Sequence, residues 1–383
     1  MKIEPSLLET WLLEHEKSLY NLGESSVTNL SVAELIKLTE CESEFYSLSL
    51  ENNDTYGSLG LREAIASVYE NVTPEDILVT AGTTEAILIY YHIRYEPGAN
   101  VVVPVPAFHI LHEIPKYLGY EVRYLPLRRE EQFRPNLAEL AKLIDDKTKV
   151  IVLNSPHNPT GIVYSHEEIQ GFIDLAENYK SEILADEHYR FLPHQQDMDF
   201  IPSLFGRFPS LVALGSTGKC FGSIGLRIGW LIGSPEILKS CHDFKDYTTH
   251  TVGVINDILA KHSLLNWQKI LPKYRGWIVK NATCLREMIK RNHHLIDWSE
   301  PEAGTVAFPF LKTFNSQSFA YRLVQETGVL VLPGEAFDCP GHFRIALGVE
   351  PERFQKAINK LERCLQTYWS LDYNSKERGT GKQ

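Results

Sequence analysis

No apolar run in the 383-residue sequence approaches the roughly 20 residues that cross a bilayer. Met1 is followed at once by Lys2, Glu4 and Pro5, which does not read as a secretory leader. The expectation is a chain with neither signal peptide nor membrane span. The six cysteines, Cys41, Cys220, Cys241, Cys284, Cys339 and Cys364, are scattered. They form no C-x-x-C pair and no His/Cys cluster at zinc-ligand spacing, so a metal site is not expected and a reduced, cytoplasmic setting fits best. Positive charge is also short. Against 49 Asp and Glu there are 38 Lys and Arg, a formal net charge of -11. A field of that sign repels polyanions and argues against nucleic acid or anionic membrane as partner. Pro/Ser linkers, internal repeats and low-complexity tracts are missing. The segment 373–383 is polar past its first residue and cannot repay the entropy of ordering, which predicts a disordered tail.

What is present is the balance of a globular protein, 43% hydrophobic and 23% charged, long enough for a large domain and a smaller one. From about Tyr56 to Ile232, helical patterns alternate with short β-rich runs, which predicts an α/β fold with a mostly parallel sheet. The strand candidates are 77–80, 100–103, 121–124, 149–153, 182–185, 211–214 and 227–232. Helical periodicity marks 63–69, 84–92, 137–144 and 167–179. Beyond about Asp246 the pattern changes to long helices, then to short β segments at 306–311, 329–332 and 343–347, closed by an amphipathic helix near 351–368. The expected division is an N-terminal segment, 1–40, joining the small domain; a large domain, 41–280; and a smaller α+β domain, 281–372. A long helix is expected to bridge the two domains.

The chemistry concentrates in Gly215-Ser-Thr-Gly-Lys219-Cys-Phe-Gly-Ser-Ile-Gly-Leu-Arg227-Ile-Gly229. An isolated lysine in a glycine-rich turn is as a rule a solvated residue. Here Ser216, Lys219 and Arg227 place a hydroxyl, an amine and a guanidinium near one strand end. That set suits a phosphate with an aldehyde attached, because a desolvated lysine forms an imine and arginine grips phosphate bidentately. The string S-x-x-K followed by G-L-R-I-G resembles the cofactor-lysine motif of the class I/II aminotransferases, the fold-type I family of pyridoxal 5'-phosphate (PLP) enzymes. The resemblance implies that Lys219 carries the cofactor as a Schiff base.

Further segments match that family in its expected order, from about Gly23 to Gly348. Asp186 in I-L-A-D-E-H-Y matches the partner of the pyridine nitrogen, and Tyr189 the residue that hydrogen-bonds the ring's phenolic oxygen. Asn158, in N-S-P-H-N-P-T-G, resembles a second donor to that oxygen, although Ser155 departs from the usual spacing. Gly82 and Thr83 match the phosphate cradle at a helix start. Phe108 resembles the ring that stacks on the pyridine. Tyr56, in Y-G-S-L-G-L-R, resembles the tyrosine that reaches the neighbouring subunit's cofactor phosphate, which implies a homodimer with shared active sites. Arg344, in H-F-R-I-A-L-G, matches the clamp on the substrate α-carboxylate. Outside these patterns an acid at a strand end usually caps a helix, and an aromatic is usually core.

Two features lean away from an ordinary transaminase. The stretch Leu22-Gly23-Glu24-Ser25-Ser26 replaces the usual glycine-proline entry, and Asp186 continues as D-E-H-Y-R-F-L-P. Both resemble the capreomycidine synthase type of PLP cyclase, which dehydrates and cyclises a hydroxyarginine. Gly23 and Glu24 are then candidates beside the substrate, with Asn158 and Arg344, since a guanidinium side chain calls for carboxylates. The reaction class stays open between a cyclase or lyase on a hydroxylated, arginine-like amino acid and an aminotransferase. A non-catalytic, PLP-binding regulator is disfavoured by the acidic chain and by the absence of a basic segment ahead of Gly23.

Overall fold

Strands that read as unbroken apolar runs are buried on both faces. In the computed structural model, which describes residues 5–379 and side chains as far as residue 367, alternate residues of the central strands enter two different cores. Ile183, Ala185, Leu211 and Ala213 pack into one of them. Leu184, Val212 and Leu214 pack into the other. The chain begins with helix α1 (Leu7–Glu14) and strand β1 (Tyr20–Asn21). The large sheet follows with β2 (Ile77–Thr80), β3 (Asn100–Val105), β4 (Glu121–Pro126), β5 (Thr148–Asn154), β6 (Glu182–Asp186), β7 (Leu211–Ser216) and β8 (Gly229–Ile232). Its order is β2-β8-β7-β6-β5-β3-β4, with β8 antiparallel to both its neighbours and the other pairs parallel. All seven expected strands are present.

One expected boundary moves. Arg227 stands before β8 instead of within it, because a short 3-10 turn (Ile224–Leu226) ends with Arg227 at φ +51°. A non-glycine residue in that region costs on the order of 1 kcal/mol, so surrounding contacts hold it there. The helix Ile110–Leu118 also lies outside the expected set. Pro115 sits inside it and removes the donor to the Leu111 carbonyl, which accepts from the Tyr91 hydroxyl at 3.1 Å.

A 25-residue helix, Trp267–Arg291, carries the chain into the C-terminal part. There β9 (Ile296–Asp297) pairs with β11 (Phe310–Leu311), while β10 (Val306–Ala307), β14 (Phe343–Ala346) and β13 (Leu332–Pro333) form a three-stranded sheet. The N-terminal β1 pairs in parallel with β12 (Val329–Leu330), so the start of the chain is stitched to its end. The final helix runs Pro351–Gly379, continuing through residues 373–379 of the expected disordered tail. Adding turns to a packed helix is far cheaper than nucleating one. Residues 380–383 of that tail lie outside the described residues. Among the described residues no helix is long and apolar enough to cross a membrane, and all six cysteines are free thiols.

Candidate active site

Parallel strands end on one edge of a sheet, and ligands bind where helices start from that edge. β5 ends at Asn154 beside Asp186, the end of β6. Ser216, Gly229 and Thr80 share one row across β7, β8 and β2. Just past that row the helix Thr83–Arg94 begins at Gly82 with no side-chain cap, leaving its first N–H groups and positive dipole end for an anion. A Cβ on Gly82 would stand 2.8 Å from Arg227 Nη2, and one on Gly229 would stand 2.5 Å from the Thr83 nitrogen. Only glycines let the guanidinium and the helix start close on the same point. With Ser216, this is a donor set that fits a phosphate.

These residues open into a cavity of about 490 Å³, within the roughly 300–1,000 Å³ of small-ligand sites. Its lining includes Gly82, Thr83, Phe108, Ser216, Lys219, Arg227 and Arg344. Lys219 Nζ donates to Ser25 Oγ at 2.7 Å. Burial, reinforced by Arg344, pulls the lysine down to about 8, while Glu24 acts in the opposite sense. A substantial share of the amine is therefore neutral near physiological pH, as imine formation requires.

Arg344 is 2% exposed. Its Nη1 donates to Asn158 Oδ1 at 3.2 Å and its Nη2 to the Gly23 carbonyl at 2.8 Å. Its Nε has no partner, and among the described residues no carboxylate lies within ion-pair distance of it. A buried guanidinium in that state points to a carboxylate ligand. Asp186 is equally buried. His188 Nδ1 stands 2.7 Å from Asp186 Oδ1, close enough for an ion pair though not aligned for a hydrogen bond. The orphaned arginine, the glycine cradle, the softened lysine and the buried carboxylate together fit PLP with an amino acid.

Asn158 and Gly23 join the site through Arg344, and Glu24 lines the cavity with its side chain exposed. Tyr189 and Tyr56 make contacts of their own within this chain. The Tyr189 hydroxyl donates to the Ser25 carbonyl at 3.2 Å, because a hydroxyl 1% exposed takes the acceptor at hand. Tyr56 stays out of the cavity, stacked on His242 with ring centroids 4.1 Å apart. Sequence reasoning missed Ser25 as a partner of the lysine, His188 beside Asp186, and the wall formed by Leu8, Glu9, Leu12 and Glu16. His188 was legible in the D-E-H-Y string, whereas nothing local marks α1. A second hollow, of about 480 Å³, lies between the helices Val32–Thr39 and Trp267–Arg291 and holds none of these residues.

The model of the family "Aminotransferase class I and II" matches residues 26–361. The chain is similar to capreomycidine synthase of Streptomyces vinaceus, 26% identical over 379 residues, covering 98% of this chain and 96% of that protein. It is also similar to an aspartate aminotransferase of Pyrococcus horikoshii, 27% identical over 318 residues, covering 80% and 81%. The crystal structure of a PLP-dependent aminotransferase from Streptococcus suis superposes with a TM-score of 0.90 at 30% identity, covering 96% of this chain and 99% of that one.

Proposed function

The chain belongs to the class I and II aminotransferase family and is a PLP-dependent enzyme, and from that premise we propose that it dehydrates and cyclises a hydroxylated, arginine-like α-amino acid to a cyclic guanidino amino acid. Bound PLP supplies the aldehyde that holds the substrate amine and the electron sink that loosens the bonds at and next to Cα. Lys219 would hold the cofactor at rest and, once displaced, takes the Cα proton and later delivers a proton back to Cα. Asp186 holds the ring nitrogen protonated. Gly82, Thr83, Ser216 and Arg227 would hold the phosphate, Phe108 would pack on the ring, and Asn158 and Tyr189 would serve its phenolic oxygen. Arg344 orients the substrate by its α-carboxylate.

The observation that carries this reading is the Ser25 hydroxyl 2.7 Å from Lys219 Nζ, in the stretch that replaces the usual entry loop. The hydroxyl can pass the lysine's proton to a departing hydroxide on the carbon next to Cα, so that water leaves. Attack by a guanidinium nitrogen on that carbon then forms the new C–N bond, and the proton which that nitrogen sheds passes to Lys219, which delivers it to Cα. Net loss is one water. The likeness to capreomycidine synthase over 98% of the chain supports the same reading. The rival, amino transfer to a keto acid, would use the same lysine and finds support in the aminotransferase relatives.

Hydroxyarginine isomers offered to the purified holoenzyme without a keto acid separate the two. A cyclase turns over repeatedly, while a transaminase stops after one equivalent with its cofactor in the amine form. Arrest after one equivalent would remove the cyclase reading. The same reading includes a homodimer in which Tyr56 of each copy serves the other's phosphate, and a cytoplasmic setting compatible with six free thiols.

A further inference from the structure

One wall of the cavity is α1 and the turn after it, with Leu8, Glu9, Leu12 and Glu16 among the lining residues. This wall is built in. Ser6 caps the helix, Leu8 and Trp11 are 4% and 5% exposed, and Trp11 Nε1 donates to the Val331 carbonyl at 3.0 Å.

Charge in the cavity divides unevenly. The lining cations are Lys219, Arg227 and Arg344. Each already has a role: Lys219 serves the amine, Arg227 the phosphate and Arg344 the α-carboxylate. The role of Arg344 is fixed by its own geometry, since it is buried, its Nε has no partner, and no carboxylate among the described residues lies within ion-pair distance of it. None of the described lining cations is left for a second substrate carboxylate. Three lining carboxylates, Glu9, Glu16 and Glu24, are exposed to the cavity and engaged in no ion pair among the described residues. Glu9 and Glu24 lie near enough to both anchors to hold the protons of Lys219 and Arg344 more tightly, against the burial and the mutual repulsion that loosen them.

From this arrangement we infer that α1 reads the substrate side chain: Glu9 and Glu16, together with Glu24, select an amino acid whose side chain ends in a cation and reject a dicarboxylic one. The inference rests on Lys219 and Arg344 as the amino-acid anchors proposed above, but not on cyclisation, since a transaminase with this wall would show the same preference. With the helix pinned by buried Leu8 and Trp11, only the glutamate side chains and not their backbone have to be ordered at binding, which lessens the cost that weakens exposed ion pairs.

L-Arginine and L-citrulline have nearly the same shape and differ in charge at the side-chain end, so their affinities for the holoenzyme, from calorimetry and from the cofactor absorbance, isolate the wall. Arginine is expected to bind on the order of tenfold tighter, with the advantage shrinking as salt rises. The double variant Glu9→Gln, Glu16→Gln is expected to bring the ratio near one, each affinity being taken relative to that of L-alanine, which reaches only the anchors and so absorbs any change at them. The variant Glu9→Lys is expected to shift preference toward L-aspartate. Equal binding of arginine and citrulline by the native protein, or an unchanged ratio in the double variant, overturns the inference while the anchors stand. Failure of L-alanine to bind at all overturns the anchors and the wall together.

Discussion

At Lys219 the competing forces on one side chain can be weighed. Burial opposes the ammonium, and Arg344 and Arg227 oppose it further, while Glu24 and Glu9 favour it; the result is about 8 instead of lysine's usual value near 10.5. At pH 7.5 the neutral fraction then exceeds that of an ordinary lysine by on the order of 10². Loading of PLP onto the cofactor-free protein should therefore speed up through about pH 8 and level off above it, as read from the imine absorbance after mixing. A rate still climbing steeply beyond pH 9 would show an unperturbed lysine. The same depression has a stability consequence. Below about pH 8 the folded, cofactor-free chain carries an ammonium it disfavours, and between about pH 8 and 10.5 the unfolded chain binds more protons, so this group's contribution to stability improves as pH rises across that window. Lys219→Ala removes both the imine and the proton carrier and should abolish turnover, whichever reaction follows.

At the scale of elements, the site is a row of strand ends meeting one helix start, and this determines what could be read from the sequence. Strands buried on both faces leave continuous apolar runs, so β2, β3 and β5 to β8 are visible, and residues needed at fixed points on their ends fall into ordered motifs: Asp186 ending β6, Ser216 ending β7 with Lys219 beyond it, Gly82 and Thr83 after β2. Helix Ile110–Leu118 escapes because Pro115 disguises it and the Tyr91 hydroxyl supplies the missing bond from elsewhere. The α1 wall escapes for another reason. Glu9 and Glu16 reach the cavity only because Trp11 and Leu8 dock the helix on a segment more than 300 residues away, and no local pattern encodes that. Ser25 was in view but its meaning was not, since its partner Lys219 lies 194 positions on. The helix start makes its own prediction. Gly82, at φ +82° and ψ 165°, occupies a region almost reserved for glycine, and a non-glycine residue there costs about 1–3 kcal/mol. Gly82→Ala should also displace Arg227 and weaken PLP binding at least about tenfold in a fluorescence titration; native affinity in that variant would mean that the phosphate sits elsewhere.

At the scale of the whole molecule, the placement of Tyr56 raises the question of a second copy. The tyrosine lies outside the cavity, held flat against His242, whose Nε2 lies 2.7 Å from Thr55 Oγ1. On the same chain Tyr46, Leu50 and Tyr247 are 75%, 81% and 86% exposed, large apolar side chains of the kind that mark contact surfaces when they gather in a patch. If two copies pack so that each Tyr56 serves the other's phosphate, the two halves of a damaged site can be supplied by different chains. Take Lys219→Ala and Tyr56→Ala, each assayed alone at limiting PLP and then unfolded, mixed in equal amounts and refolded together. Half of the dimers are then hybrids, and each hybrid has one site with both an intact Lys219 and an intact Tyr56 reaching across to it. Activity should return to about a quarter of the native level. If Tyr56 serves its own subunit, every site in the mixture lacks one of the two groups and activity stays at the level of the separate variants, a result that would leave the active site standing within each chain but end the case for sharing it.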